Sequence, residues 1–257
     1  MNAFTLESHQ ATLRYHNFPG EAPACVFLHG LGSASTSVFP RIVRHPSLVR
    51  YRALLIDFLG FGFSDRPQNF SYGLKDHAST VVELLEHLEL RDCAVIGHSM
   101  GGSIAIVLAS TRPDLVSNLI VAEGNLDPGP GMVSGPIAAQ TEEQFLKHGY
   151  RNFLRGIISE GWTDYAGTVQ ASDPVAMHRS AVDLIRERTP TLREMLLKLS
   201  MPRTVIFGEK NLPDPNVNRL SNQGIHVRVI ENAGHNMMGD NPDDFAEALN
   251  EALCGSQ

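Results

Sequence analysis

The chain alternates short, nearly unbroken apolar runs with longer stretches in which apolar residues recur every three or four positions. Ala24-Cys25-Val26-Phe27-Leu28, the stretch from Arg52 to Phe58, Cys93-Ala94-Val95-Ile96 and the stretch from Asn118 to Glu123 are of the first kind. Runs of that length read as strands buried on both faces, as in a parallel sheet. Two later runs, Arg203 to Gly208 and His226 to Ile230, extend the set. Before Cys93, residues Val81, Leu84, Leu85 and Leu88 fall at i, i+3, i+4 and i+7 with Glu83, Glu86 and Glu89 on other faces, which predicts an amphipathic crossover helix. Ser103 to Ala109 is apolar all round with Pro113 as a stop, and predicts a buried helix. Strand, helix and strand in succession imply parallel pairing through right-handed crossovers. At the start, Phe4 to His9 and Thr12 to Phe18 roughly alternate, which predicts an antiparallel hairpin at a sheet edge. At the end, Asn241 stands before Pro242, with Phe245, Ala248 and Leu249 on one face, so a capped helix closes the fold.

Between Gly124 and Ser200 the strand rhythm stops. Asn125-Leu126-Asp127-Pro128-Gly129-Pro130-Gly131 reads as a hinge, and helical character follows around Thr141 to Ile158, Pro174 to Arg188 and Thr191 to Leu199. The expected organisation is an α/β core of residues 1–124 and 201–257 with a helical cap, residues 125–200, inserted after strand six. Such a cap overhangs the carboxyl ends of the strands, where open α/β sheets bind ligands.

Composition narrows the function. The 257 residues suit one large α/β domain with an insertion. Twenty-eight Asp and Glu against 21 Lys and Arg give a net charge of -7 with no basic cluster, which excludes a nucleic-acid surface. No apolar stretch reaches the length of a membrane span, and the first residues lack the basic and apolar parts of a signal peptide. A cytoplasmic protein without membrane contact is expected. Cys25, Cys93 and Cys254 form neither a disulfide framework nor a metal motif, and no H-E-x-x-H pair occurs, so neither metal nor cofactor is expected. Cys254-Gly255-Ser256-Gln257 lacks the aliphatic pair of a prenylation box and reads as a frayed tail.

The chemistry gathers at Gly97-His98-Ser99-Met100-Gly101. A strand that turns into a helix within a few residues must strain its central residue, which lifts the Ser99 hydroxyl clear of the sheet. A serine needs a base to become a nucleophile. His235 is the best placed of eleven histidines, since Asn232-Ala233-Gly234-His235-Asn236 lies between the last strand and the closing helix. The base needs a carboxylate. The loop after the strand Thr204 to Phe207 carries Asn211 where an acid is expected, and in protease triads exchanging acid for amide costs about four orders of magnitude. Glu123, ending the strand beyond the nucleophile strand, is preferred, with Asp214 and Asp127 as alternatives. Oxyanion donors are expected in the backbone N–H groups of Met100 and of Leu31, the latter after His29-Gly30.

The segments His29-Gly30-Leu31-Gly32, Asp57-x-x-Gly60-x-Gly62-x-Ser64-Asp65, Gly97-His98-Ser99-Met100-Gly101-Gly102 and Ala233-Gly234-His235 together resemble the α/β-hydrolase superfamily across about residues 4 to 253. The resemblance implies an eight-stranded, mostly parallel sheet flanked by helices, a cap after strand six, and a serine, acid, histidine order that Ser99, Glu123 and His235 satisfy. Some haloalkane dehalogenases are similar in carrying their acid after strand six, but their nucleophile is aspartate, and Ser99 argues against that chemistry. The expected activity is cleavage of a small-molecule carboxylic ester through an acyl-enzyme. A lactonase, a carbon–carbon bond hydrolase or a perhydrolase would use the same residues, and a ligand receptor on this fold is the non-enzymatic alternative. Phe145, Trp162, Tyr165 and Met177 are candidate acyl-pocket residues or plain cap core, and His148, Arg151 and Arg155 a solvated face.

Overall fold

Strands form at Asn2–Leu6 (β1), Ala11–Phe18 (β2), Glu21–Leu28 (β3), Tyr51–Asp57 (β4), Cys93–His98 (β5), Val116–Ala122 (β6), Arg203–Gly208 (β7) and His226–Ile230 (β8). They come from a computed structural model that describes residues 1–255, so Ser256 and Gln257 of the expected tail lie outside the described residues. Cys254, read from sequence as part of that tail, instead ends the helix Pro242–Cys254. The strands make one sheet in the order β1-β2-β4-β3-β5-β6-β7-β8. Pairing is antiparallel for β1 with β2 and β2 with β4, and parallel from β4 onward. The chain is thus an α/β protein with an eight-stranded, mostly parallel sheet.

Both faces of the central strands are covered, which is why their sequences show no alternation. Val26, Leu28, Val95 and Val121 join an apolar layer with the helices Leu74–His87 and Met100–Thr111, while Phe27, Ile96, Ile120 and Ile206 meet the helix Pro242–Cys254 on the other side. That last helix is capped by the Asn241 side chain, which accepts from Asp244 N–H at 3.3 Å, with proline in its first turn. Asp57, at the end of β4, is fully buried and accepts from Thr36 N–H, Thr36 Oγ1 and Phe63 N–H at 3.0, 2.7 and 3.1 Å. The Asp57-to-Asp65 motif therefore knits two loops at the carboxyl edge.

Between β6 and β7 the chain is helical: the main helices are Tyr150–Ser159, Thr163–Gln170, Pro174–Ile185 and Leu192–Lys198. The helical character expected around 141–158 is present, with a π-helical segment Phe145–Gly149 ahead of Tyr150–Ser159. The helix Thr163–Gln170 has no counterpart in the sequence reading. Among the described residues, no helix is long and apolar enough to cross a membrane.

Candidate active site

Ser99 follows β5 directly and caps the helix Met100–Thr111, with φ 54° and ψ -121°. A non-glycine residue held there costs on the order of 1–3 kcal/mol, which the surrounding packing must offset. The turn closes only because its flanks are glycine: a Cβ on Gly97 would stand 2.3 Å from Gly101 O, and one on Gly101 would stand 2.3 Å from Leu28 O. Ser99 N–H is tied to Ala122 O at 2.8 Å.

Beside it, β3 ends in the turn Gly30 to Ser33, closed by Ser33 N–H donating to Gly30 O at 3.2 Å. His29 orders this turn. Its Nε2 accepts from Phe58 N–H at 3.1 Å, which leaves the proton on Nδ1 for donation to Gly30 O at 2.8 Å. Gly30 C=O belongs to the peptide whose N–H is that of Leu31, so two donors on the oxygen polarise that amide. Neither Leu31 N–H nor Met100 N–H is spent on another backbone bond among the described residues.

Glu123 follows β6, and His235 lies in the loop after β8. The His235 Nδ1–H donates to Glu123 Oε2 at 2.6 Å, a charge-assisted length. The carboxylate side chain is 11% exposed and the imidazole 35%, so the acid is shielded while the ring keeps an open edge. Two more groups hold the acid: Gly208 N–H donates to Oε1 at 2.9 Å, and Asn211 Nδ2 reaches Oε1 at 2.6 Å and Oε2 at 2.8 Å. Burial pushes the Glu123 carboxyl up, but the bonds from His235, Gly208 and Asn211 together outweigh it and leave the group below its ordinary range.

The structure thus joins Glu123 to His235 and draws no hydrogen bond from the Ser99 hydroxyl among the described residues. The alternative acids are engaged elsewhere. Asp214 Oδ1 accepts from Asn216 N–H at 2.7 Å as the cap of the helix Pro215–Ser221, and Asp127 is salt-bridged to the buried Arg193. Asn211 is the residue whose part the sequence reading missed: its amide donates to both oxygens of the Glu123 carboxylate. Hydrogen bonds to a charged group are worth about 1.5–3 kcal/mol before exposure discounts them, and Asn211 is exposed. Asn211→Ala is therefore expected to lower kcat about tenfold, and unchanged steady-state kinetics would contradict this role.

His98, within the same turn, reaches the His235 loop. Its Nε2–H donates to the backbone oxygen of His235 at 2.8 Å, so the turn that presents Ser99 also holds the loop that carries His235. Burial, aided by the nearby His235, pushes His98 down to about 3. His77, fully buried among Phe58, Phe61, Phe70 and Tyr72, is likewise pushed to about 3 by burial and by His29. Both rings stay neutral in the folded state, whereas in an unfolded chain they protonate near pH 6.5. The unfolded state therefore gains protons first as pH falls. Stability should drop between pH 6.5 and about 3, by up to about 1.4 kcal/mol per pH unit for each histidine. Urea midpoints that do not move between pH 7.5 and 5 would contradict this, and His77→Phe should flatten the slope.

A parallel sheet that brings a serine, a carboxylate and an imidazole out at neighbouring strand ends is the architecture of an α/β hydrolase. Residues 23–161, more than half of the chain, match the sequence profile of the alpha/beta hydrolase fold, and the chain belongs to that family. It is 27% identical to the sn-1-specific diacylglycerol lipase ABHD11 of Mus musculus, over 94% of this chain and 85% of the relative. It is 26% identical to haloalkane dehalogenase 2 of Mycobacterium tuberculosis, over 90% of this chain and 88% of that one. A thermophilic esterase from Thermogutta terrifontis has the same fold, with a TM-score of 0.82, covering 99% of this chain and 98% of the other at 19% identity. Family membership supports a hydrolase.

Proposed function

We propose that this protein is a serine hydrolase that cleaves carboxylic esters of small molecules, with Ser99 as nucleophile, His235 as base and Glu123 as acid. The observation that carries the reading is the 2.6 Å bond from His235 Nδ1 to a carboxylate that Asn211 and Gly208 hold in place. That bond fixes the imidazole tautomer with Nε2 as the acceptor, the form a general base requires. Ser99 Oγ attacks the acyl carbon while its proton passes to His235 Nε2, and the carbonyl oxygen becomes an oxyanion facing the N–H groups of Leu31 and Met100. Collapse expels the alcohol, which takes the proton back. Water, deprotonated by His235, then attacks the acyl-enzyme and releases the acid and Ser99. No metal or cofactor enters these steps. The relatives named lipase and esterase favour ester over halide, and Ser99 cannot replace the carboxylate on which dehalogenation depends. Residues 125–200 are proposed as the cap over this site.

The test is turnover of p-nitrophenyl acetate and butyrate and of simple lactones, with covalent labelling by a fluorophosphonate. Hydrolysis with the label on Ser99 supports the reading. Ligand-dependent thermal stabilisation without turnover or label would make the protein a receptor instead.

A further inference from the structure

Tyr165 lies on the helix Thr163–Gln170, apart from the residues that carry the proposed chemistry. Its hydroxyl nevertheless donates to the carbonyl oxygen of Leu31 at 2.9 Å. Leu31 is the second residue of the turn closed by Ser33 N–H on Gly30 O, and Gly32, the third, has φ 69°. A positive φ at the third position marks a type II turn, which differs from type I by rotation of the peptide between the two central residues. Here that peptide joins Leu31 to Gly32, and its oxygen is the atom Tyr165 holds. The seat is tight: a Cβ on Gly32 would stand 2.9 Å from Tyr165 Oη, 3.0 Å from Val169 Cγ2 and 3.2 Å from Met177 Cε. Burial pushes the Tyr165 phenol above its ordinary range, so the hydroxyl stays a donor.

We propose that Tyr165 is a positioning residue for the oxyanion hole: by holding the Leu31 carbonyl oxygen it keeps the turn in its type II form and seated against helix 163–170, and so fixes the place of Leu31, whose N–H, in the preceding peptide, is to face the carbonyl over Ser99. The inference rests on Leu31 N–H being an oxyanion donor. His29 grips the peptide before Leu31 from the sheet side, and Tyr165 grips the peptide after it from the inserted helices. The hole is complete only while helix 163–170 is seated on the turn.

Tyr165→Phe removes one oxygen and tests this. With p-nitrophenyl butyrate, kcat should fall about tenfold with KM within about twofold, less than the loss of a whole oxyanion donor. A trifluoromethyl ketone, to whose carbonyl carbon Ser99 Oγ adds while the proton moves to His235 and the oxygen becomes an oxyanion, should bind about tenfold more weakly in parallel. Val169→Ala trims the same seat but keeps the hydroxyl, and should leave both quantities within about twofold of wild type. Wild-type values of both in Tyr165→Phe would overturn the proposal and leave ester hydrolysis standing. A wild-type protein that neither turns over esters nor binds the ketone would sink the Ser99 reading and this inference with it. If the phenylalanine variant folds poorly, hydrogen exchange on the wild type decides: the ketone should slow exchange in residues 163–170 as well as 29–33. Protection confined to 29–33 would overturn the coupling.

Discussion

Ser99→Ala is expected to reduce ester turnover by roughly a million-fold, to the level of solution hydrolysis plus what binding alone supplies. In the proposed mechanism the oxygen removed is the atom that forms the acyl bond. The fold should survive, because the Ser99 side chain makes no hydrogen bond among the described residues and alanine keeps its backbone bond to Ala122. Ser103→Ala is the control on the same helix: its hydroxyl bonds Asn125 O at 3.2 Å, which concerns the fold rather than the chemistry. Fluorophosphonate labelling should vanish in Ser99→Ala and persist in Ser103→Ala. More than about one per cent residual turnover in Ser99→Ala would refute nucleophilic catalysis by this serine.

Glu123→Gln should cost about 10⁴-fold in kcat, the loss seen when a triad acid becomes its amide. An amide nitrogen facing His235 Nδ1 favours the tautomer with the proton on Nε2, which cannot accept the serine proton. The substitution also sets the new amide against the Asn211 donor that now serves Oε1 and Oε2. Asp214→Asn should change kcat less than about twofold, since asparagine caps a helix about as well as aspartate and Asp214 spends its carboxylate on Asn216 N–H. Steady-state rates of the two variants, measured side by side, check the assignment. A larger loss in Asp214→Asn would reverse it.

The sheet was legible because each central strand is buried on two faces, and two-sided burial writes itself as an unbroken apolar run. The serine turn was legible for a similar reason, since close approach at Gly97 and Gly101 admits no side chain. The contact between Glu123 and His235 was inferred from strand order, but Asn211 was seen only as an unsuitable acid. Its pairing with Glu123 crosses 88 positions and depends on how two strand ends splay, which no local pattern records. Asp214 shows the opposite failing: an aspartate before Pro215 is a helix-start signal, and it was weighed as an acid when its neighbours spelled a cap. The helix Thr163–Gln170 escaped notice because Thr163, Gly167 and Thr168 are poor helix formers. Packing of Ala166 and Val169 into the apolar layer supplies what propensity does not.

The bond from His98 to the His235 carbonyl has a practical consequence for protein engineering. Randomising position 98 would remove a tie between the Ser99 turn and the His235 loop, so that, under the proposed mechanism, variants selected for new substrates would lose rate for reasons unrelated to substrate fit. Libraries aimed at altered acyl preference should keep that histidine fixed and spend their diversity on the helices between β6 and β7.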